Sequence, residues 1–246
     1  STHCISSAAS DVYKRQRVHH VPDVIAAFEL AIEHFTTPGS AIIVPTPAYM
    51  PFLLVPPMHD RRVIEVPSIE VDGRWVMDLD AVAQAFRDGG EMLVLCNPHN
   101  PLGTVATRDE LLAIASVVTD AGGRVFSDEI HAPIVYAPAQ HIPYASVSEA
   151  AASHTLTATS ASKAWNLAGL KCAQVILSND ADAALWESLG FWAGHGTSTL
   201  GVVANIAAYT GGREWLDEVV DGHDHPHAGQ LLVDELRQHP PVAVEV

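Results

Sequence analysis

The sequence predicts an α/β fold: a mainly parallel sheet with helices on both faces, followed by helices that lead into a truncated small domain. Two observations predict it. Short continuous apolar runs read as strands buried on both sides, and helical segments separate them. The 246 residues are 48% hydrophobic and 17% charged, enough apolar matter for a sizeable core.

The elements follow in order. VPDVIAAFELAIEHF (21–35) carries Val24, Phe28, Ala31 and Phe35 at helical spacing, with Asp23 placed to cap it. Pro38-Gly39 ends that helix, and AIIV (41–44) and RRVIEV (61–66) read as strands. VDGRW (71–75) turns at Asp72-Gly73, LDAVAQAF (79–86) is a helix, and EMLVLCN (91–97) is an apolar strand. Thr107 and Glu110 form a capping box before LLAIASVVTDAG, which Gly122 stops. RVFSDE (124–129), HTLTATS (154–160) and AQVILS (173–178) are further strands. Beyond Asn179 the pattern is mostly helical, through Arg213 to Gln238.

Charge and cysteine bound the function. Lys plus Arg number 13 and Asp plus Glu 29, giving a net charge of −16. Such a surface repels phosphate backbones, so nucleic acid is not an expected partner. Cys4, Cys96 and Cys172 make neither a CxxC pair nor an even framework, which fits a reducing, cytoplasmic setting. Cys96 and Cys172 read as buried small hydrophobes. No apolar run reaches the ~20 residues that cross a bilayer, and residues 1–16 lack a signal peptide's apolar stretch. That segment shows no period continuing into the rest and reads as a foreign tail. Residues 17–212 are expected to form the large domain, and 213–246 a linking helix and the start of a small domain.

In parallel sheets ligands bind beyond the carboxyl ends of the strands. Four polar groups follow such ends: Tyr49, Asn97 to Asn100, Asp128 to His131, and Ser160 to Lys163. A positioned lysine amine is what amine–carbonyl exchange requires. Lys163 follows Ser160 and Ser162, whose hydroxyls could donate to a phosphate, with Lys171 eight residues on as a point charge for it. Taken alone, such a lysine is more often a surface residue of a Ser-rich loop. Asp128 can hold a ring nitrogen cationic, though a strand-end Asp more often caps a loop. Asn100 lies in a turn bracketed by Pro98 and Pro101, able to aim an amide at a phenolate oxygen. Tyr49 can stack on a planar heterocycle.

The segments PTPAYMPF, NPHNPLG, SDEIHA and SASKAWNLAGLK occur here in that order. From about Val21 to Glu245 the chain resembles the fold-type I pyridoxal 5'-phosphate (PLP) enzymes of the aminotransferase class I/II superfamily. SDEIHA with SKAWNLAGLK is most similar to the cystathionine β-lyase-type C–S lyases. The resemblance implies Lys163 as the Schiff-base and catalytic lysine, Asp128 as partner of the pyridine nitrogen and Asn100 as partner of the ring oxygen. It implies Tyr49 as the stacking ring and His131 at a position where many aminotransferases have Tyr. Ser160, Ser162 and Lys171 match the phosphate positions. A cytoplasmic homodimer acting on an amino acid substrate is the implied full-length form.

The chain departs from that pattern in three ways. Before the first helix, Val21-Pro22-Asp23-Val24 replaces a Gly-led turn, and Asp23 brings a charge unfavourable to a phosphate. Lys171 stands where family members often carry Arg. The family's carboxylate-binding arginine falls beyond the chain's end.

Two other readings remain open: an aminotransferase, which uses the same residues, and the effector-sensing aminotransferase-like domain of a transcription regulator. HDHPH (223–227) and His19-His20 are weaker signals, read as solvated helix and strand ends rather than metal sites.

Overall fold

The computed structural model describes residues 17–223. Seven strands form the main sheet: β1 (Val18–Val21), β2 (Ala41–Thr46), β3 (Arg62–Pro67), β6 (Gly90–Cys96), β7 (Arg124–Asp128), β8 (Thr155–Thr159) and β9 (Ala173–Leu177). The two between, β4 (Ile69–Val71) and β5 (Arg74–Val76), pair as a separate hairpin. Its turn residues Asp72 and Gly73 both have positive φ, 51° and 77°, as a tight two-residue hairpin demands.

The strand order is β1-β9-β8-β7-β6-β2-β3. The five strands from β8 to β3 run parallel, β9 runs against β8, and β1 runs against β9. The carboxyl ends of β2, β6, β7, β8 and β1 therefore meet at one edge. The amino end of β9 arrives there too.

Side chains alternate across the sheet with a period of two. Ile42, Val44, Met92, Val94, Phe126, Leu156 and Val175 face one core, under α1 (Val24–Phe35), α2 (Pro51–Met58) and α6 (Asp180–Leu189). Ile43, Leu93, Leu95 and Val125 face the other, under α3 (Leu79–Arg87), α4 (Arg108–Ala121) and α5 (Glu149–Ser153). Two further helices, α7 (Thr199–Gly211) and α8 (Arg213–His223), follow. The mainly parallel sheet covered on both faces is as the apolar runs predict.

Local signals hold closely. Thr107 and Glu110 form the reciprocal capping box of α4, and Gly122 ends it in the left-handed region at φ 64°. Asp23 caps α1 by accepting from the Ala26 N–H at 2.8 Å. The first element needs correction: Val21 belongs to β1, not to the helix, which starts at Val24. Val18 to Val21 is short and on the sheet's edge, so its strand character rests on pairing with β9 rather than on its own pattern.

Helix α2 is also new. Pro51 stands at its first position, Phe52 and Val55 bury one turn apart, and Pro56 and Pro57 fall in its last turn. Arg61 closes the base of this region, its guanidinium donating to the carbonyls of Ile32, Thr36 and His59.

Among the described residues no helix is long and apolar enough to cross a membrane, and no cluster of His, Cys, Asp or Glu could hold a metal. His223 ends α8, and the rest of HDHPH lies outside the described residues.

Candidate active site

The converging strand ends border a cavity of about 290 Å³. Its wall includes Tyr49 after β2, Asn100 after β6, Asp128 and His131 at and after β7, and Ser162 and Lys163 after β8. These strands are neighbours in the order β8-β7-β6-β2, so residues spread over more than a hundred positions of sequence meet at one edge. Register aligns them closely: Cys96 pairs with Asp128, and Asp128 with Ala158.

Asp128 is 5% exposed and its Oδ1 accepts from the Ile130 N–H at 3.1 Å. Burial pushes its carboxyl up to about 7, and neighbouring Glu129 adds to the rise, while the Ile130 N–H and Lys163 oppose it. A buried carboxylate raised this far favours a cationic partner. Glu129 points to the other side. It is buried and accepts from Ser127 Oγ at 2.9 Å and Tyr144 N at 3.0 Å, and it pairs with His141 Nε2 at 2.9 Å. These contacts fix the backbone immediately behind Asp128. Nothing in the spacing of Glu129 and His141 marks them as a pair.

The loop after β8 is held by its own serines and by α7. Ser160 Oγ donates to Cys172 O at 2.7 Å and accepts from Ser162 N at 3.0 Å and Ser162 Oγ at 2.8 Å. Ser160 is thus buried behind the cavity wall, whereas Ser162 and Lys163 lie on it. Asn205 of α7 accepts from Ala161 N at 3.1 Å, and Trp165 Nε1 donates to Gly212 O at 2.8 Å. These supports tie both ends of the Lys163 turn to packed structure.

Elsewhere on the same edge, after β6, His99 N–H bonds Thr104 O and Gly103 N–H bonds His99 O, each at 2.8 Å, closing the turn that carries Asn100. Asn97 Oδ1 accepts from Ala106 N at 2.9 Å, anchoring the same turn from below. Tyr49 packs edge-on against Phe52, centroids 5.8 Å apart, and keeps 40% of its surface exposed. Burial holds His131 below the usual histidine range, partly offset by its hydrogen bond with the Pro98 backbone. Its ring is therefore neutral at pH 7, beside the cavity.

The amino end of the cavity is built by Pro22, Asp23, Val24 and Ile25 on one side and by Ala168, Lys171 and Cys172 on the other. Lys171 sits in the left-handed region at φ 52°, a backbone uncommon for a side-chain-bearing residue. Its Nζ donates to Asp23 Oδ2 at 2.9 Å. Cys96 and Cys172 are buried as expected and both touch the cavity. Burial, with Asp128 nearby, raises the Cys96 thiol to about 12, so it remains neutral. His19 has its ring 5.5 Å from that of Trp186, and burial lowers its pKa.

Sheet and strand-end site together define an α/β domain with its ligand cavity at the carboxyl edge, lined by a lysine, a raised carboxyl and anion donors. The family model for aminotransferase class I and II matches residues 7–238, and the chain belongs to that family. It is 45% identical over 205 residues to cystathionine beta-lyase of Corynebacterium glutamicum, covering 83% of this chain and 54% of that enzyme.

Among solved structures, cystalysin of Treponema denticola, which contains a pyridoxal 5'-phosphate cofactor, superposes with a TM-score of 0.83 at 27% identity, over 98% of this chain and 62% of that one. The PLP-bound C–S lyase of Staphylococcus hominis superposes at 0.81 with 26% identity, over 97% and 62%. The chain spans about half the length of the curated relatives it matches.

Proposed function

We propose that the full-length protein is a PLP-dependent C–S β-lyase. It would act on cysteine S-conjugates such as cystathionine, giving pyruvate, ammonia and a thiol. The observation that carries this reading is the meeting of Lys163 and Asp128 on one cavity, in a chain this similar to a cystathionine beta-lyase.

The residues present fit the cofactor. Asp128, with its carboxyl raised to about 7, has the charge deficit that a protonated ring nitrogen would supply. Ser162, Lys171 and the first turn of α1 offer donors for a phosphate. Asn100 and Tyr49 offer an amide donor and an aromatic face. The cavity is close to the lower end of the range usual for small ligands, about 300 Å³.

When bound, the cofactor supplies an electron sink for charge developing at the substrate's α-carbon. Lys163 Nζ is the amine that would hold the cofactor aldehyde and would serve as base for the substrate's α-proton. Asp128 would pair with the ring nitrogen and favour its protonated form. Asn100 would donate to the ring oxygen, with neutral His131 alongside, and Tyr49 would pack against the ring. Ser162 and Lys171 would hold the phosphate, with Ser160 bracing Ser162 from behind.

We assign residues 17–212 to the large domain and 213–246 to a linking helix and the start of the small one, with residues 1–16 outside both. The full-length form is proposed to be a cytoplasmic homodimer. The test is to give full-length protein PLP and cystathionine with no keto acid. Pyruvate, ammonia and free thiol in equal amounts are expected. Turnover that strictly requires a keto acid, with no thiol released, would instead establish an aminotransferase.

A further inference from the structure

The cavity's amino end already contains an anion of the protein's own. Asp23 Oδ1 takes the Ala26 N–H at 2.8 Å, the Ile25 N–H also bonds this carboxylate, and Oδ2 takes Lys171 Nζ at 2.9 Å. Both Asp23 and Lys171 line the cavity. The two kinds of donor that would grip a phosphate there, amides of the first turn and an ammonium, are thus engaged by one carboxylate. Burial alone would raise the Asp23 carboxyl, but hydrogen bonds from Lys171 and the Ala26 N–H outweigh it and hold the group below the ordinary range. Lys171 is raised by the same pair. The carboxylate is therefore ionised at neutral pH.

We propose that Asp23 is an internal competitor for the phosphate cradle: it lowers affinity for the phosphorylated cofactor and narrows the preference for pyridoxal phosphate over unphosphorylated pyridoxal. This rests on the cofactor reading above. A phosphate entering the cradle meets a like charge and must take Lys171 and the amides from it, whereas an aldehyde without phosphate leaves the Asp23–Lys171 pair in place. Like charges in contact repel even in a partly wet site. The pair is partly exposed, with side chains 40% and 59% accessible, so the effect is moderate. It falls on affinity and vitamer choice rather than on the chemical step.

Asp23→Asn separates charge from capping, because asparagine is an equally good N-cap and keeps an acceptor for the Ala26 N–H. Asp23→Ser does the same with a shorter side chain. In the full-length protein, dissociation constants for pyridoxal phosphate and for pyridoxal are measured by absorbance titration, and borohydride reduction with mass spectrometry locates any adduct.

The expected result is pyridoxal phosphate binding roughly ten-fold tighter in both variants, about 1.4 kcal/mol, with pyridoxal binding changed less than two-fold. Intrinsic differences between the two aldehydes cancel in the ratio between variant and wild type. Equal shifts for both vitamers, no shift, or weaker binding of the phosphorylated one would overturn the proposal while leaving an adduct on Lys163 intact. Absence of any Lys163 adduct in the wild type would overturn the cofactor reading itself, and this proposal with it.

Discussion

Asn205, on α7, accepts a hydrogen bond from the backbone N–H of Ala161 at 3.1 Å, forty-four positions earlier in the chain. Its amide also donates to Gly201 O at 2.9 Å within its own helix. One buried side chain thus fastens the turn that presents Lys163 to a helix outside the sheet. Replacing it tests how far the lysine's position depends on that support. Asn205→Ala leaves the Ala161 N–H without its partner and is expected to destabilise the protein by about 1–3 kcal/mol. Hydrogen exchange at residues 161–163 should accelerate beyond what the global change explains. Exchange that rises evenly across the sheet would make Asn205 a general packing residue only.

Gly201 makes the neighbouring contact. A Cβ there would lie 2.2 Å from Leu170 O and 2.9 Å from the Cys172 Cβ. Both neighbours flank Lys171, and one is rigid backbone. Gly201→Ala must therefore push α7 away from the segment carrying Lys171. A loss of about 1–3 kcal/mol is expected from overpacking, together with weaker binding of pyridoxal phosphate to the full-length protein. Thermal melts and cofactor titration check the two effects; an alanine variant with wild-type values in both would show that the helix yields freely.

Asp128 carries a pH prediction whose sign is fixed by its raised carboxyl. In the unfolded chain it ionises near the ordinary value of 3.8, but in the cofactor-free fold only near 7. Between those values the folded state binds the extra proton, so this group's contribution to stability is lost as pH rises from about 4 through 7. The total is on the order of 4 kcal/mol. Asp128→Asn never ionises. Cofactor-free variant and wild type should therefore be similar near pH 4, with the variant increasingly the more stable toward pH 8. Denaturant melts at several pH values measure this, and a difference independent of pH would contradict the burial argument.

Lys163→Ala removes the amine proposed to bond the cofactor aldehyde covalently. Full-length variant protein is expected to retain its melting temperature within about 2 °C, since an exposed side chain contributes little to stability. It should lose the borohydride-reducible adduct and at least about a thousand-fold in turnover. Adduct formation on another lysine, or turnover near wild type, would remove Lys163 from the catalytic role.

Near-neighbour physics made much of this protein legible in sequence. Short runs between turn signals marked β2, β3 and β6 to β9. Strands β2 and β6 are mostly apolar because both faces are covered, while edge strand β3 is only partly buried and β8 buries Thr155, Thr157 and Thr159. Thr107, Glu110 and Gly122 marked the bounds of α4, because caps act over three or four residues. The ordered motifs around Tyr49, Asn100, Asp128 and Lys163 follow strand ends, and the fold brings those four residues to one cavity, where parallel sheets commonly bind ligands. Tertiary structure alone decided the rest. It made Val18–Val21 an edge strand, turned Ser160 into a brace for Ser162, and set His141 against Glu129. It brought Lys171 to Asp23 across 148 positions of chain. That pair forms because β1 ends, and antiparallel β9 begins, at the same edge of the sheet. Strand order and direction are properties of the whole packed sheet, and the periodicity of any one segment does not contain them.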